Sequence, residues 1–424
     1  MAINALSAAK ENSELTIELR RHIHRHPELS GAEFETLKYI RKHLDEYGVD
    51  YVEVEDGGIL GFLGDETKGR TLLLRADIDA LPILENKRNL KREKTVVSEN
   101  DGVHHACGHD AHTSILLTAG KILKEHEAEL NGRVILFFER GEEGTGNIRQ
   151  LMKYIERENI HVDASHAIHV APQFPAGKLI VQSGAFFAGA YGFNVTITGQ
   201  DGHGSRPDLS NNPIDCFVAV YNAISTIRLR KISPYDTLTF SVGQLTAGTR
   251  GNIIPQDLTF SGSARLYSEE AGEKFGAEFT KILDGITAAY GCTYTNAAFL
   301  GAPLINNAKI AELIQNSVKS AIGEDALVTN AEPWMGSESF SLLTKLYPGT
   351  MISLGLDNEE LGSGAQIHNE YFDIDEDILH VGVAETAAFA VDFLNYKGDI
   401  PFTPYDGTIS DLLGGMPSPP TAKK

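Results

Sequence analysis

Three short apolar runs, each of strand length, constrain the fold of this chain more than any other feature. They cover residues 71–78 (TLLLRADI), 133–139 (RVILFFE) and 164–170 (ASHAIHV). The stretch between the first two runs, about 113–126, has the spacing of a helix that opens at Thr113. Strands that alternate with helices at this spacing predict βαβ units and a mostly parallel sheet.

The two ends of the chain are predicted to be mainly helical. A first helix stops at Pro27, a second covers about 31–47 with Gly48 as its stop, and a long helix over about 375–395 closes the fold. Residues 397–424 contain five prolines, so we predict an extended tail there.

A different pattern begins near Gly184. Two central strands and two helices are flanked by one strand on each side, in the order β-α-β-β-α-β of a ferredoxin-like sandwich. The predicted elements are strand 190–198, helix 213–228, strands 236–246 and 257–267, helix 269–290 and strand 292–298. The fold class is therefore α/β, with a metal-binding catalytic domain that carries an inserted ferredoxin-like α+β dimerisation (lid) domain. We predict the limits 1–185 and 300–396 for the two parts of the catalytic domain, 186–299 for the insertion and 397–424 for the tail.

Charge and cysteine content exclude several classes of protein. The chain has 37 Lys and Arg against 58 Asp and Glu, a net charge of −21. So acidic a chain is predicted not to bind nucleic acid. Three cysteines are too few for a disulfide framework, no apolar run reaches the roughly 18 residues of a membrane span, and the first residues lack a signal-peptide pattern. We expect a cytoplasmic protein without a membrane partner.

The densest chemistry lies in HHACGHDAH, residues 104–112, which follows a buried strand and precedes a helix. A thiolate and an imidazole two residues apart, Cys107 and His109, can both reach one metal cluster from a short loop. A lone cysteine or histidine is more often structural. Four histidines, one cysteine and one aspartate within nine residues indicate a metal site instead.

A pair of adjacent carboxylates, Glu142 and Glu143, follows the strand at 133–139 in the sequence GEEGTGN. Two such groups at a strand end repel each other unless a cation lies between them. One can then bind metal while its neighbour handles protons. An EE pair alone is more often an ordinary acidic loop, so its position after the strand is what favours function.

Three further histidines lie at ends of predicted elements: His169 in AIHVAP, His368 in QIHNEYFDIDED and His203 in the Gly-rich loop GQDGHGSRP. Each of them alone would be interpreted as a structural or turn residue. They point to function only because they occur in a particular order with the other motifs.

Taken together, these motifs resemble the dinuclear-metal amidohydrolases of the aminoacylase and carboxypeptidase superfamily. The most similar branch contains hippurate, auxin-conjugate and aminobenzoyl-glutamate hydrolases. The resemblance runs from about residue 13 to about 395 and rests on a fixed order of motifs: HRHPELSGAEFETLKYI, LRADIDALP, HACGHDAHT, the EE pair, HVAPQFPAGKL, GHGSRPDLSNNPID, RGNIIP, GSESF and IHNEYFDID.

The resemblance implies two bound divalent metal ions, Mn²⁺ or Zn²⁺, and assigns roles to particular residues around them. Cys107 resembles the shared ligand, Glu142 resembles the catalytic base, and Asp77 is interpreted as a residue that orients a ligand from behind. The remaining ligands implied are His109, Glu143, His169 and His368.

The resemblance also assigns residues of the inserted domain. His203 matches a lid histidine that reaches the active site of the other subunit, where it stabilises oxyanion charge. Asn252 in GNIIP and Arg265 in SARLY match lid residues that hold the polar groups of the substrate. The expected partners are a small substrate carrying a carboxylate and a second copy of the chain, in a homodimer or a higher homo-oligomer.

Some positions depart from the pattern of this family. A Gln followed by Pro-Ala usually precedes the two glutamates, whereas this chain has FFERGEE with Arg140 and Gly141. His104 stands where Met is common, Ser339 where Asp is usual, and the stretch 86–94 is unusually basic. These departures are expected to reshape the substrate pocket and to spare the metal ligands.

Three functions remain open from the sequence. The first is hydrolysis of the amide bond of an N-acyl amino acid or a similar carboxylate-bearing amide. The second is an aminohydrolase that releases ammonia from an electron-poor aromatic amine such as a substituted aminobenzoic acid, which Arg140 would favour if it faced the cleft. The third is a metal-stabilised binding protein without activity, against which the retention of Glu142 beside Glu143 argues.

Overall fold

The computed structural model describes residues 3–414. Its first part alternates helices with strands, as the apolar runs predict. In chain order these elements are α1 (Ala5–Glu11), α2 (Ser13–Arg25), α3 (Phe34–Tyr47), β1 (Asp50–Val54), β2 (Gly58–Gly64), β3 (Arg70–Asp77), α4 (His109–Glu125), β4 (Gly132–Glu139), α5 (Ile148–Arg157), β5 (Ala164–Pro175) and β6 (Leu179–Ile180).

The middle of the chain forms a separate set of strands and helices. These elements are β7 (Gly184–Phe187), β8 (Gly189–Thr198), β9 (Gly202–His203), α6 (Pro213–Ile224), α7 (Ile227–Arg230), β10 (Leu238–Ala247), β11 (Ile253–Ile254), β12 (Asp257–Leu266), α8 (Glu269–Ala289) and β13 (Thr293–Gly301). The last part contains β14 (Leu304–Asn306), α9 (Ala308–Ala321), β15 (Leu327–Val328), α10 (Ser341–Leu346), β16 (Gly349–Asp357), α11 (Leu379–Asn395) and α12 (Ile409–Gly414).

The large sheet has eight strands in the order β1-β2-β4-β3-β5-β16-β6-β15. Its centre, β4-β3-β5-β16, is parallel, as predicted. Strands β1 and β2, which the sequence analysis did not predict, add an antiparallel edge, because only three residues connect them and such a turn makes a hairpin. On the other side, β6 pairs antiparallel with β16.

Two apolar cores cover the two faces of this sheet. Along β3 and β4, successive side chains enter opposite cores: Leu72 and Leu74 lie in one, Leu73 in the other. The first core is shared with α1, α4, α9 and α11, and the second with α5 and α10. The sheet is therefore the middle layer of three.

The C-terminal tail differs from the predicted extended chain. Helix α12 forms within it, and Ile409 and Leu413 are buried in the second core, beside α5. Two apolar side chains four residues apart suffice to hold this short helix against the sheet layer. Residues 415–424 of the predicted tail lie outside the described residues.

The inserted sheet has the order β10-β12-β8-β13, with every neighbouring pair antiparallel. Helices α6 and α8 pack on it, which is the ferredoxin-like arrangement that the sequence predicted. The helix predicted over 213–228 is two helices, α6 and α7. The chain leaves and re-enters the large sheet layer through β7 and β14, which pair with each other.

Within the described part of the chain, we find no helix with the length and apolar character needed to cross a membrane.

Candidate metal centre

The carboxyl ends of the adjacent parallel strands β4, β3 and β5 bring four of the residues selected from the sequence together. Asp77 ends β3, and the Glu142–Glu143 pair follows the end of β4. Because parallel strands present their carboxyl ends at one edge of the sheet, these groups meet there. His169, predicted at a strand end, lies inside β5, which continues to Pro175 along β16 after its pairing with β3 has stopped at Ala167.

A left-handed glycine connects the first two predicted ligands, Cys107 and His109. Gly108 has φ 86°, and a Cβ atom there would lie 2.3 Å from a methyl carbon of Val170 on β5. Any larger residue would therefore push the loop away from β5. Helix α4 begins at His109 rather than at the predicted Thr113, since Gly108 already ends the preceding loop.

The five predicted ligands lie together, in two groups that share Cys107. Ligand atoms of Cys107, His109 and His169 lie within 4.8 Å of one another, and so do those of Cys107, Glu143 and His368. The Cys107 Sγ atom is 3.5 Å from His169 Nε2. Two ligands bound to one ion at about 2.0–2.3 Å in tetrahedral geometry lie roughly 3.5 Å apart, so this spacing fits a shared ion.

Hydrogen bonds on the far side of two imidazoles leave their Nε2 atoms facing the centre. His169 Nδ1 donates to the Val170 carbonyl at 2.7 Å, and His109 Nδ1 donates to Asp79 Oδ1 at 3.1 Å. Burial lowers the pKa of His169 well below its usual value, which favours the neutral ring that binds a metal, whereas Asp77 and Cys107 raise the pKa of His109 against the effect of its burial. These two hydrogen-bond acceptors therefore keep the proton on Nδ1 of each ring and leave Nε2 as the atom that can bind a metal ion.

The residue that orients His109 is Asp79, which the sequence analysis did not select. The Asp79 carboxylate also accepts a hydrogen bond from the Glu143 backbone N–H at 3.0 Å, so it holds two ligands at once. Asp77, the predicted orienting residue, instead accepts from His112 Nδ1 at 2.6 Å. Its Oδ2 atom is 3.5 Å from His109 Nε2, on the side that faces the centre.

Two buried polar atoms in this cluster, His109 Nε2 and Glu143 Oε1, make no hydrogen bond of good geometry among residues 3–414. They lie 3.9 Å apart, and their other close neighbours are titratable groups: Asp77 Oδ2 is 3.5 Å from the imidazole nitrogen and His368 Nε2 is 3.0 Å from the carboxylate oxygen. A divalent cation would satisfy both, and the thiol, imidazole and carboxylate donors are ones that Zn²⁺ or Mn²⁺ accepts, so the residues present fit the implied metal.

His368 reaches the cluster from a loop with an unusual backbone. Its φ of 59° is one of three positive values at non-glycine residues in the described chain. The His368 backbone N–H donates to the Ala106 carbonyl at 2.8 Å, which ties this loop to the residue before Cys107. Such strain persists where the surroundings impose it and is typical of functional sites.

Glu142 is half-buried next to the ligands and accepts a hydrogen bond from the Ser339 backbone N–H at 3.0 Å. Burial and the neighbouring Glu338 and Glu143 raise the pKa of Glu142 well above its usual value, against the effect of Arg75. The carboxylate is therefore one that takes up a proton readily, as a general base does.

A buried charge network lies behind Glu142. The Arg75 guanidinium contacts Asp77 and Glu139 at 2.7 Å each and Glu338 at 2.9 Å. Burial and Glu338 raise the pKa of Glu139 to about 7, although Arg75 and Ser339 oppose the shift. No single residue in the sequence indicated this network, because its members come from three distant segments.

The lid residues His203 and Asn252 lie together but apart from the ligand cluster. His203 on β9 pairs with Ile253 on β11, and the Asn252 carbonyl accepts the Gly204 N–H at 3.0 Å. Among the described residues, no hydrogen bond or ion pair joins His203 to the five predicted ligands. Ser205 donates to His203 Nδ1, so the exposed ring carries its proton on Nε2.

Arg265 on β12 reaches the loop that contacts Glu142. Its guanidinium donates to Ser337 Oγ at 2.8 Å, two residues before the Ser339 N–H that Glu142 accepts. Of the three predicted lid residues, Arg265 is thus the one that contacts the catalytic layer of its own chain.

The basic residues by which this chain departs from the family pattern make their contacts away from the five predicted ligands. Arg140 is buried and bonded to Glu33 at 2.9 Å and to the Gly31 carbonyl at 2.7 Å. His104 and Lys94 both contact Glu85, at 3.2 and 2.9 Å, in a separate buried cluster. The condition under which Arg140 would favour an anionic aromatic substrate is therefore not met.

Known proteins resemble this chain over most of its length. The model of peptidase family M20/M25/M40 matches residues 73–392. The chain is 32% identical over 387 residues to an IAA-amino acid hydrolase (ILR1-like 2) of Arabidopsis thaliana, covering 90% of this chain and 85% of that one. It is 30% identical over 378 residues to an N-acetylcysteine deacetylase of Bacillus subtilis, covering 88% and 96%.

A solved structure with the same architecture is the Bacillus subtilis protein YXEP, described as a dinuclear metal binding peptidase from the M20 family. It superposes with a TM-score of 0.77 at 27% identity and covers 91% of this chain and 99% of that one. The family match covers well over half of the chain, and two curated relatives of 30% identity or more extend over most of it. The chain therefore belongs to peptidase family M20/M25/M40.

Proposed function

We propose that this protein is a metal-dependent hydrolase that cleaves the amide bond of an N-acyl amino acid or a similar small amide bearing a carboxylate. The observation that carries the proposal is the pair of ligand groups sharing Cys107, with Glu142 beside them. The relatives support it, since their names describe hydrolysis of an amino acid conjugate and of an N-acetyl amino acid.

Two divalent ions, Mn²⁺ or Zn²⁺, would be held by Cys107, His109, Glu143, His169 and His368. When bound, such ions lower the pKa of a water molecule and polarise a carbonyl group. Cys107, whose sulfur belongs to both ligand groups, would be the shared ligand. The mixed set of one sulfur, three nitrogens and one carboxylate suits either ion.

Glu142 would move the protons of the reaction. Its carboxylate takes a proton from the attacking water and then passes it to the leaving nitrogen of the amide. The Ser339 N–H donates to one carboxylate oxygen, and the other would face the water. Glu142 and Glu143 both offer an oxygen near His109, and the ligand role would fall to Glu143, because it also lies in a group with Cys107 and His368.

We propose that the insertion, with limits near 186–299, forms a homodimer through the edge of its sheet. Strand β10 is an edge strand, and its partner helix α6 exposes apolar side chains beside it. Ile214, Val218 and Tyr221 of α6 and Leu245 of β10 are each more than a third exposed. In such a dimer, His203 of one chain would stabilise oxyanion charge in the other chain with its Nε2–H.

A subunit-exchange experiment tests the role of His203. His203→Ala and Glu142→Gln are each expected to be nearly inactive as homodimers. Their mixture regains part of the wild-type activity, because a heterodimer contains one site with Glu142 and a partner's His203 intact. Mass spectrometry of differently tagged chains confirms exchange. Confirmed exchange without recovered activity would show that His203 does not act across the interface.

Arg265 is expected to bind the carboxylate of the substrate. Arg265→Ala should raise KM about 10- to 100-fold, the range expected for losing a hydrogen bond to a charged group. Arg228→Ala removes an exposed lid arginine and is the matched control, with KM unchanged. A loss confined to kcat would contradict a role in binding. Asn252, beside His203, would hold a second polar group of the substrate.

We further propose a cytoplasmic location, which the three free and buried cysteines support.

A product-release assay tests the proposed function. Metal-loaded protein is incubated with a panel of N-acyl amino acids and, separately, with aminobenzoic acids. We expect equal amounts of free amino acid and free acid from the first panel, and none after chelation. Ammonia from the second panel alone would establish the aminohydrolase instead. No product from either panel, with metal bound, would favour a binding protein.

A further inference from the structure

Glu139 is a fully buried carboxylate that the proposed reaction does not use. It is the last residue of β4, and both of its oxygens are occupied. Oε2 accepts from Arg75 Nε at 2.7 Å and Oε1 accepts from the Ser339 hydroxyl at 2.7 Å. Because burial of a charge is costly unless every oxygen is satisfied, a carboxylate here needs a reason.

Ser339 connects this carboxylate to Glu142. Its hydroxyl accepts from Arg75 Nη2 at 2.8 Å while donating to Glu139, so the side chain is held from both sides. Its backbone N–H donates to Glu142 Oε1 at 3.0 Å. A residue fixed by two bonds at its side chain presents its N–H in one direction only.

Two of the departures from the family pattern noted above meet at this contact: Glu139, where the pattern has Gln, and Ser339, where it has Asp. In this chain, the carboxylate of the pair comes from the end of β4 and contacts Arg75.

We propose that Glu139 is a positioning residue, which acts through Ser339 to aim the carboxylate of Glu142 at its proton-transfer partners. The proposal rests on the proposed role of Glu142 as the base. Glu139 itself has no hydrogen bond or ion pair, within the described chain, to any of the five predicted ligands. Its loss should therefore alter turnover and spare both metal content and substrate binding.

Two single variants measure this effect. Glu139→Gln replaces the carboxylate that accepts the 2.7 Å bond from the Ser339 hydroxyl, leaving that hydroxyl the longer 3.4 Å contact with Glu338 Oε1, and Ser339→Ala removes the connection itself. Each is expected to lower kcat about 10- to 100-fold, the scale on which a misplaced catalytic group acts. KM is expected to stay within about twofold and metal content unchanged. Combining the two changes should cost no more than either alone, since they break one connection.

The double variant Glu139→Gln with Ser339→Asp provides the rescue. The NH₂ group of the introduced glutamine would donate to the introduced aspartate, and the amide oxygen of that glutamine would accept from Arg75. Every polar group would then have a partner again. We expect kcat to recover to within about threefold of wild type. Ser339→Asp alone places two carboxylates together and is expected to be as impaired as the other single variants.

Glu385→Gln is the matched control, since it removes an equally buried carboxylate whose partner is His166. Its kcat should match wild type. The proposal is overturned if Glu139→Gln and Ser339→Ala retain full kcat, if they lose metal, or if the double variant fails to recover. An inactive wild type would refute the proposed function instead, and an active Glu142→Gln would refute the base assignment, so the three failures are distinguishable.

Discussion

Glu142→Gln should lower turnover by roughly 10²–10⁴-fold while leaving metal content near that of the wild type. The amide keeps the size of the carboxylate and can still accept the Ser339 N–H, but it cannot take up a proton at neutral pH. Turnover is measured with the substrate found in the release assay, and metal by elemental analysis of the same sample.

Glu143→Gln is the informative comparison, because the two residues are neighbours with different predicted roles. The Glu143→Gln protein is expected to lose metal, whereas the Glu142→Gln protein is expected to keep it. If Glu142→Gln loses metal and Glu143→Gln keeps it, the two assignments must be exchanged. If Glu142→Gln keeps wild-type turnover, another group moves the proton.

His109→Ala should remove bound metal and lower activity by roughly 10³-fold or more, since the ions supply several kcal/mol of transition-state stabilisation. The variant also removes the hydrogen bond from His109 Nδ1 to the buried Asp79 carboxylate. Binding of metal to the folded state stabilises it, so the melting temperature in added metal should fall as well.

His161→Ala controls for the loss of a histidine as such. The His161 side chain is 74% exposed and contacts Asp163 outside the ligand cluster. It should retain metal, activity and melting temperature. A His109→Ala protein with normal metal content would contradict the ligand set.

The central strands could be predicted because they are buried on both faces. Strands β3 and β4 are continuous apolar runs, which is how a fully covered parallel strand is encoded. Strand β1 was missed because it is only five residues long, carries two carboxylates and lies at an edge, where it is partly open to water. The helix in the tail was missed because its packed apolar side chains, Ile409, Leu412 and Leu413, are too few for a visible period.

Cys107 and His109 were selected because histidine and cysteine are crowded in their segment, whereas Glu143, His169 and His368 were selected through the family resemblance. Asp79 carried a weaker signal, although it follows a buried strand only two residues after Asp77, and a search for pairs of aspartates at strand ends could have found it. The contact between Ser339 and Glu142 had no such signal. It joins positions 197 residues apart, and only the packing of the loop before α10 on the end of β4 brings them together.

The most direct measurement of the central claim is a metal titration of the chelated protein. Residual metal is removed, Mn²⁺ or Zn²⁺ is added in steps, and amide hydrolysis and bound metal per chain are recorded on the same sample. We predict that the chelated protein is inactive and that activity rises with occupancy until two ions are bound per chain. Full activity in the chelated protein, or metal binding that restores no hydrolysis of any amide in the panel, would contradict the account.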